Sequence, residues 1–557
     1  KISAQYIWLA RMTTDKPMAN AETPLNGQLL TATARNVRPD DGFHHSQSLL
    51  SSFGQKTCKG LKCLCACVGE ILFLLLLVVL CPVAAVFFCL LCLLPALERA
   101  LNWRREYLDG QAAAQINHVE EAVIHGIFIT KERIEASKVI EHFQNTYLQS
   151  ERQEFLRWKQ RVVSRCCCWP YWETCAELDQ SYHFSTHTEE MTKSSLEKYV
   201  ATLCSEPLDF SRPVWQMRVF ENVVDEYGHA CSAVLLRIHH CMGDGYTLMR
   251  VVMQAAEPNK PPATNQAQRG RSSVLERRHT TSCFQLLRYV LKSLRKLLFM
   301  LPDSPSAFKA SRRIVPTGER HVAWNSLNNT NVEELKALGK ELNGASINDI
   351  LVSALTRSLG QYGRQQNSLA PDVLRGACWV ALAPLKHVYT DFSEVPLVWG
   401  NKSLGACYLR FPIASNKTGM ESLEEVKSQT ADPSLPVEAM VGSKLLKLIG
   451  WLPRWIGRAV WNIASNNVSL SMSNLPGPQF PMQWCGAPIS RMFFFVPATG
   501  TVSLFVTIAT FDGDIAVGLG GDGAIFNQEA LEEISGKLFQ AEIQEMKAAI
   551  GKMDNLV

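Results

Sequence analysis

Apolar positions along this chain fall into three kinds of pattern, and each predicts a different element. The longest is residues 71–97, which carry no charge and are dominated by Leu, Val, Phe and Cys. Roughly 20 such residues cross a bilayer, so the run predicts a membrane segment more readily than a buried core helix. Pro82 and Pro95 allow either a kinked crossing or a hairpin that turns at Pro82 and returns to the same leaflet. A second pattern has helical spacing. Phe284, Leu287, Leu291, Leu294, Leu298 and Leu301 recur on one face, with Arg288, Lys292, Arg295 and Lys296 on others. This predicts a basic amphipathic helix, lying on a membrane surface or packed on the core with a solvated basic side. Lys444–Trp461 mixes three Trp with Lys447, Arg454 and Arg458 and is divided by Pro453 into two expected segments, suited to an interface, the core or an acyl tunnel. Helical patterning also covers Glu132–Arg157, and Ser346 is a candidate cap for a helix from Ile347 through Ala354. The third pattern is short and β-compatible: Ala233–Ile238, Leu470–Met472, Met492–Val496, Ser503–Thr510 and Ile515–Leu519 read as strands, and Gly518–Gly523 as a turn.

Breaks in these patterns suggest an organisation. Residues 1–55 show no sustained period and are expected to form a flexible tail without a signal peptide, ahead of a membrane anchor over 56–105 with its core at 71–97. One globular half is expected over 111–256, a linker with the basic helix over 257–310, and a second half over 311–557. With 557 residues and 47% hydrophobic content, two or three packed domains are affordable. A net charge of +4 over this length makes no case for nucleic acid.

Of the 18 cysteines seven lie in or beside the apolar run and three are consecutive at Cys166–Cys168, unlike a disulfide framework, which favours a reducing, cytosol-facing setting. Cys58, Cys63, Cys65 and Cys67 sit where juxtamembrane thiols are palmitoylated, or are membrane-compatible filler. Sequons at Asn328, Asn401, Asn416 and Asn467 keep a lumenal placement open. Lys56, Lys59 and Lys62 before the run balance Arg99, Arg104 and Arg105 after it, so orientation is undecided.

The candidate chemistry lies in Ala233–Tyr246, AVLLRIHHCMGDGY. A strand should end near His240, because Gly243 and Gly245 favour a turn just beyond it. A neutral imidazole there can take a proton from a hydroxyl near neutral pH. Asp244 reads as a holder of the loop, through an arginine or backbone N–H groups. The alternative is a pair of satisfied core histidines beside an ordinary turn. A zinc site from Cys168, Cys175, His183 and His187 matches no common ligand spacing, and no metal is expected.

His239-His240-Cys241-Met242-Gly243-Asp244-Gly245 resembles the HHxxxDG signature of acyltransferases with the chloramphenicol acetyltransferase fold. Pro207–Trp215 resembles the PLDRSRPLW segment of the wax ester synthase/diacylglycerol acyltransferase family, with Phe210 in place of arginine. Ile347–Leu351 resembles its ND motif, Ser473–Pro478 its SNVPGP stretch, and Leu178–Phe184 its DxxxHV segment.

That resemblance implies an α/β fold of two chloramphenicol acetyltransferase-like subdomains with a channel between them, plus the N-terminal membrane segment. It implies acyl-CoA as co-substrate, no cofactor, and a fatty alcohol or diacylglycerol as acceptor, giving wax ester or triacylglycerol. His240 would be the general base, His239 its packing neighbour, and Asp244 and Gly245 structural. Asn348 would be the oxyanion donor, with a backbone N–H as rival, while Asp349, Ser473, Asn474 and Gly477 would shape the channel. The implied setting is a membrane, that of the endoplasmic reticulum with a cytosolic catalytic domain, or the plasma membrane. The other readings are a catalytically silent lipid-binding or tethering protein of the same fold, and an acyltransferase acting on polar alcohols.

Overall fold

A computed structural model describes residues 96–117, 122–164, 169–258, 282–303, 306–309, 318–327, 330–366, 371–382, 399–401, 404–413, 417–497 and 499–554, with isolated helical positions between 82 and 93. The expected tail, the cysteines before the apolar run, most of that run, Cys166–Cys168 and the greater part of the linker lie outside these residues. Among the described residues no helix is long and apolar enough to cross a membrane. Residues 73–557 form one compact unit.

Two large sheets build most of that unit, beside a small one formed by Glu106–Tyr107, Gln160–Val163 and Tyr171–Thr174. The helices that frame them are α1 (Gly110–Asn117), α2 (Ala136–Phe143), α3 (Lys193–Leu203), α4 (Gly245–Ala255), α5 (Cys283–Phe299), α6 (Val332–Glu341), α7 (Ile347–Gln365), α8 (Gly419–Thr430), α9 (Leu435–Trp451), α10 (Arg454–Asn466), α11 (Gln528–Glu532) and α12 (Phe539–Asp554). The first sheet contains β1 (Val123–Thr130), β2 (Phe184–His187), β3 (Trp215–Val224) and β4 (Ala230–His239), in the order β2-β3-β4-β1. The second uses β5 (Arg320–Ser326), β6 (Leu374–Ala381), β7 (Leu404–Phe411), β8 (Leu470–Pro476), then β11 (Leu504–Phe511) and β12 (Asp514–Asp522), in the order β5-β12-β11-β8-β6-β7. Between β8 and β11 the chain crosses over. Strands β9 (Met482–Trp484) and β10 (Ala487–Phe495) join the first sheet, β10 pairing antiparallel with β1.

The two halves are therefore not the separate stretches 111–256 and 311–557 that the sequence suggests. Part of the second half completes the first half's sheet, and the two share a core. Ile127, Ala233 and Leu235 of the first sheet pack with Trp324 of β5, Phe493 of β10 and Val200 of α3. Polar ties cross the same seam: Glu197 of α3 accepts the Trp324 backbone N–H at 2.9 Å, and Lys193, paired with Glu197 within the helix, donates to Asn325 Oδ1 at 3.3 Å.

Most predicted elements appear with longer bounds, and two differ. Gly518–Gly523 is strand through Asp522, not a turn. A Cβ on Gly518 would sit 2.7 Å from Thr507 Oγ1 and 2.9 Å from Phe494 O, so glycine here lets β12 pass close to β10 and β11. The helix expected over Glu132–Arg157 is broken: α2 runs into a wider turn at Gln144–Leu148, and a tight 3₁₀ segment follows at Gln153–Lys159. The break turns the chain back so that Phe155 meets Tyr147 (4.9 Å between centroids) and Trp158 meets Phe143 (5.0 Å). Burying four aromatic rings outweighs a few helical hydrogen bonds exchanged for others. By contrast α5 appears as the spacing predicts and carries a full capping box, Ser282 with Gln285. Pro453 separates α9 from α10 as expected.

Candidate active site

β4 delivers two histidines to the edge of the first sheet with their peptide groups already tied. His239 N–H donates to Val214 O at 2.9 Å, and His240 N–H donates to Ala122 O, just before β1, at 2.5 Å. Three residues, Cys241, Met242 and Gly243, follow. Asp244, 1% exposed, then accepts the Thr247 N–H at 2.8 Å and so caps the first turn of α4.

The two imidazoles differ in what surrounds them. His239 is 1% exposed, its Nδ1 accepts the Cys241 N–H at 3.2 Å, and its Nε2 is buried with no hydrogen-bond partner among the described residues. Phe210 meets it edge-on at 5.1 Å. Burial, and then the neighbouring His240, pull its pKa down to about 3, so it stays neutral. Phe210, where the family pattern has arginine, thus adds to the apolar wall behind this ring.

His240 keeps 9% of its surface, and its Nδ1 lies 3.0 Å from Asn401 Oδ1. The other end of that amide, Asn401 Nδ2, donates to the carbonyl oxygen of His240 itself at 2.9 Å. A carbonyl can only accept, so the amide has one orientation and presents oxygen to the ring. Nδ1 must then carry the proton, and Nε2 is left with a lone pair. Burial holds His240 below its ordinary pKa, partly opposed by its own backbone, the Asp244 carboxylate and Asn401, so the ring is neutral near pH 7.

Asn401 comes from the second half of the chain, on a short segment fastened at each residue. The Trp399 indole N–H donates to Glu154 O, and its ring meets Trp158 edge-on at 5.7 Å. Gly400 N–H donates to Met242 O at 2.9 Å, inside a parallel bridge with Gly243. Gly400 has φ +104°, and a Cβ there would lie 2.6 Å from Asp109 Oδ2, so both angle and space require glycine. Asp109 is itself fixed, its Oδ1 accepting the Gln111 and Ala112 N–H groups at 2.9 and 3.0 Å at the start of α1.

The remaining candidates divide. Gly245 lies against Leu475, whose δ-carbons are 3.7 and 3.8 Å from the position a Cβ would take. Next to Leu475, Asn474 donates its amide to Asn348 Oδ1 at 3.0 Å. That leaves the Asn348 amide N–H groups unspent among the described residues, as an oxyanion donor requires, on the first turn of a helix whose dipole also favours negative charge. Asp349 is different: its carboxylate accepts from Ser346 N (2.8 Å), Ser346 Oγ (2.7 Å) and Thr430 Oγ1 (2.6 Å). It completes the α7 capping box. Gly477 is also spent on packing, since its N–H donates to Thr510 O at 2.9 Å and a Cβ would lie 2.3 Å from that oxygen. Ser473, half-buried, pairs in register with Trp379 of β6.

His183 and His187 are taken up separately, His183 stacked on Trp215 at 4.2 Å and His187 on Phe220 at 4.6 Å. Asn401 is the functional residue that sequence reasoning missed; its one visible signal, the sequon, pointed elsewhere. It is fully buried, and Asn467 is 4% exposed, so neither could carry a glycan in the folded protein.

The arrangement can remove a proton at His240 Nε2, with an amide donor available at Asn348. Residues 108–351 match the wax ester synthase/diacylglycerol acyltransferase catalytic domain, and residues 399–542 the WS/DGAT C-terminal domain. The chain belongs to this acyltransferase family. The catalytic match holds His240 and Asn348, and the C-terminal match opens on Trp399. Wax ester synthase/diacylglycerol acyltransferase 5 of Arabidopsis thaliana is 26% identical over 340 residues, 53% of this chain and 64% of that protein, just under two thirds of its length. The O-acyltransferase WSD of Acinetobacter baylyi is 22% identical, over 69% of this chain and 85% of its own. Among solved structures, the wax ester synthase/diacylglycerol acyltransferase from Marinobacter aquaeolei VT8 superposes with TM-score 0.53 at 17% identity, covering 80% of this chain and all of that one. The likeness extends to the first condensation domain of the calcium-dependent antibiotic synthetase, with TM-score 0.50 at 13% identity over 79% and 96% of the two chains. At these identities the structures speak for the two-lobed α/β fold.

Proposed function

We propose that this family member is an acyl-CoA-dependent O-acyltransferase that moves a fatty acyl group onto a long-chain alcohol or diacylglycerol, at a membrane. The observation that carries the reading is the Asn401 contact, which leaves His240 Nε2 as an unprotonated acceptor. In this mechanism Nε2 takes the hydroxyl proton as the alcohol oxygen attacks the thioester carbonyl. The carbonyl oxygen becomes an oxyanion that accepts from the Asn348 amide. The C–S bond then breaks and the proton passes from His240 to the departing CoA sulfur. Reactant and product protonation balance, with no covalent enzyme intermediate.

Membrane attachment is supported by the uncharged run 71–97 and by the substrates, which partition into lipid. A cytosolic catalytic unit, on the endoplasmic reticulum, is favoured by Asn401. In the lumen its sequon would invite a glycan on the very amide that orients His240.

The test is release of free CoA thiol from palmitoyl-CoA by purified protein, against hexadecanol, a sterol, diacylglycerol and a polar alcohol. Thiol release with hexadecanol or diacylglycerol that disappears in folded His240→Ala is the expected result. Lipid binding without thiol release would instead identify a silent relative, and preference for the polar alcohol a different acceptor class.

A further inference from the structure

Large apolar side chains that stand exposed are not scattered. Among the described residues, all those recorded apart from Tyr227 fall on the stretch ending at Trp103, on α5 and the Leu301 just after it, on α9 and on α10. Leu101 is 81% exposed, Trp103 73%, Phe284 77%, Leu301 73%, Trp455 70% and Ile463 66%. These stretches adjoin. Arg99 lies over the Trp169 ring at 5.4 Å, and Trp169 stacks on Trp451 at the end of α9 at 6.1 Å. α9 and α10 are separated by Leu452 and Pro453 alone. Two ion pairs fasten α5 to the start and flank of α9, Lys292–Asp432 at 2.7 Å and Lys296–Glu438 at 2.8 Å.

The charges interleaved with these side chains are mostly basic, and Glu98, on the stretch ending at Trp103, is paired with Arg105 at 2.5 Å. Neither α5 nor α10 contains an acidic residue, and the single one on α9, Glu438, is 4% exposed and occupied by Lys296. Arg288, Arg295, Lys444 and Arg454 are exposed and make no ion pair among the described residues. Exposed apolar side chains are costly in water and unpaired cations are drawn to anionic headgroups, so a bilayer carrying such headgroups suits both at once. A protein partner would have to supply the same two properties over the same surface. The uncharged run 71–97 leads directly into this face at Leu97, which is 51% exposed.

We infer that α5, α10, the exposed side of α9 and residues 97–103 form one docking face that lays the catalytic unit on an anionic lipid surface. This deepens the membrane reading above and rests on it. The face would bring acceptor lipid to the enzyme from the plane of the bilayer.

The full chain is incubated with phosphatidylcholine vesicles, with and without phosphatidylserine, that contain a lipid bearing a photoactivatable diazirine on its acyl chain, and the labelled peptides are mapped. Labelling of 283–301 and 454–466, stronger with phosphatidylserine, is the expected result. In the double variant Phe284→Glu/Trp455→Glu that labelling is lost, and turnover of vesicle-embedded diacylglycerol falls several-fold while turnover of a short soluble alcohol is unchanged. Both positions are exposed, so the fold is not at stake. If the chain floats with vesicles but labelling is confined to residues before Leu97, or is as strong around Tyr227, the face is overturned and the anchor stands. A chain that neither floats nor labels overturns the membrane reading and the face together.

Discussion

The two halves of this enzyme carry unequal shares of one site. The first half holds the proposed base: His240 directly follows β4, and backbone hydrogen bonds from His239 to Val214 and from His240 to Ala122 fix the strand's end. The second half sets that ring's tautomer through Asn401 and holds Asn348, the proposed oxyanion donor. An imidazole on a strand edge is commonplace; one with a single allowed proton position is a catalyst in waiting. The site is thus a property of the seam between halves, and removing either side's contribution should be readable separately.

The largest effect expected on the second half's side is from Asn348→Ala. Loss of one oxyanion donor costs about 10²–10³ in kcat, so single-turnover rates should fall by that much with KM for acyl-CoA little changed. Equal rates in variant and parent would return the role to a backbone N–H. Asn401→Ala should cost about 10- to 100-fold, the scale of a misaligned catalytic group. It has a second signature. The Asn401 contact raises the pKa of His240, so its loss should move the acid limb of kcat/KM to lower pH, which a purely structural defect would not do.

The seam also titrates. Burial pushes the Glu197 carboxyl up to about 7, against the opposing pull of Lys193 and the Trp324 N–H. The folded state therefore holds a proton that the unfolded chain releases near the ordinary carboxylate pKa. Stability is fullest below that ordinary value and is lost as pH rises through about 7. Denaturant midpoints measured from acid to neutral pH should decline in the parent and be flatter in Glu197→Gln. The smallest effect belongs to Asp349→Ala, which removes half of a capping box. It should lower stability by about 0.5–2 kcal/mol in urea titrations and leave kcat nearly unaltered, in contrast with its neighbour Asn348.

Local patterns were the legible part. The spacing of Leu and Phe predicts α5, Pro453 predicts the division of α9 from α10, and Ser346 predicts the start of α7, because each depends on residues within a turn or two. The Glu132–Arg157 pattern misleads because its aromatic positions serve a cluster with Trp215, whose packing prefers a break. Gly518–Gly523 misleads because glycine signals a turn and a close approach alike, and only the neighbouring strands distinguish them.

By itself the sequence determined the family, the candidate base and the elements that carry it, since a motif of seven adjacent residues needs nothing distant to be recognised. Only the tertiary structure decided which ring nitrogen is free, because the residue responsible is 161 positions away and reaches His240 through the bridge between Gly243 and Gly400. It likewise separated Asn348 from Asp349, adjacent in the chain and alike in polarity. One side chain is turned to Asn474 and the other to Ser346, and hydrogen-bond partners are set by packing in three dimensions, not by order along the backbone.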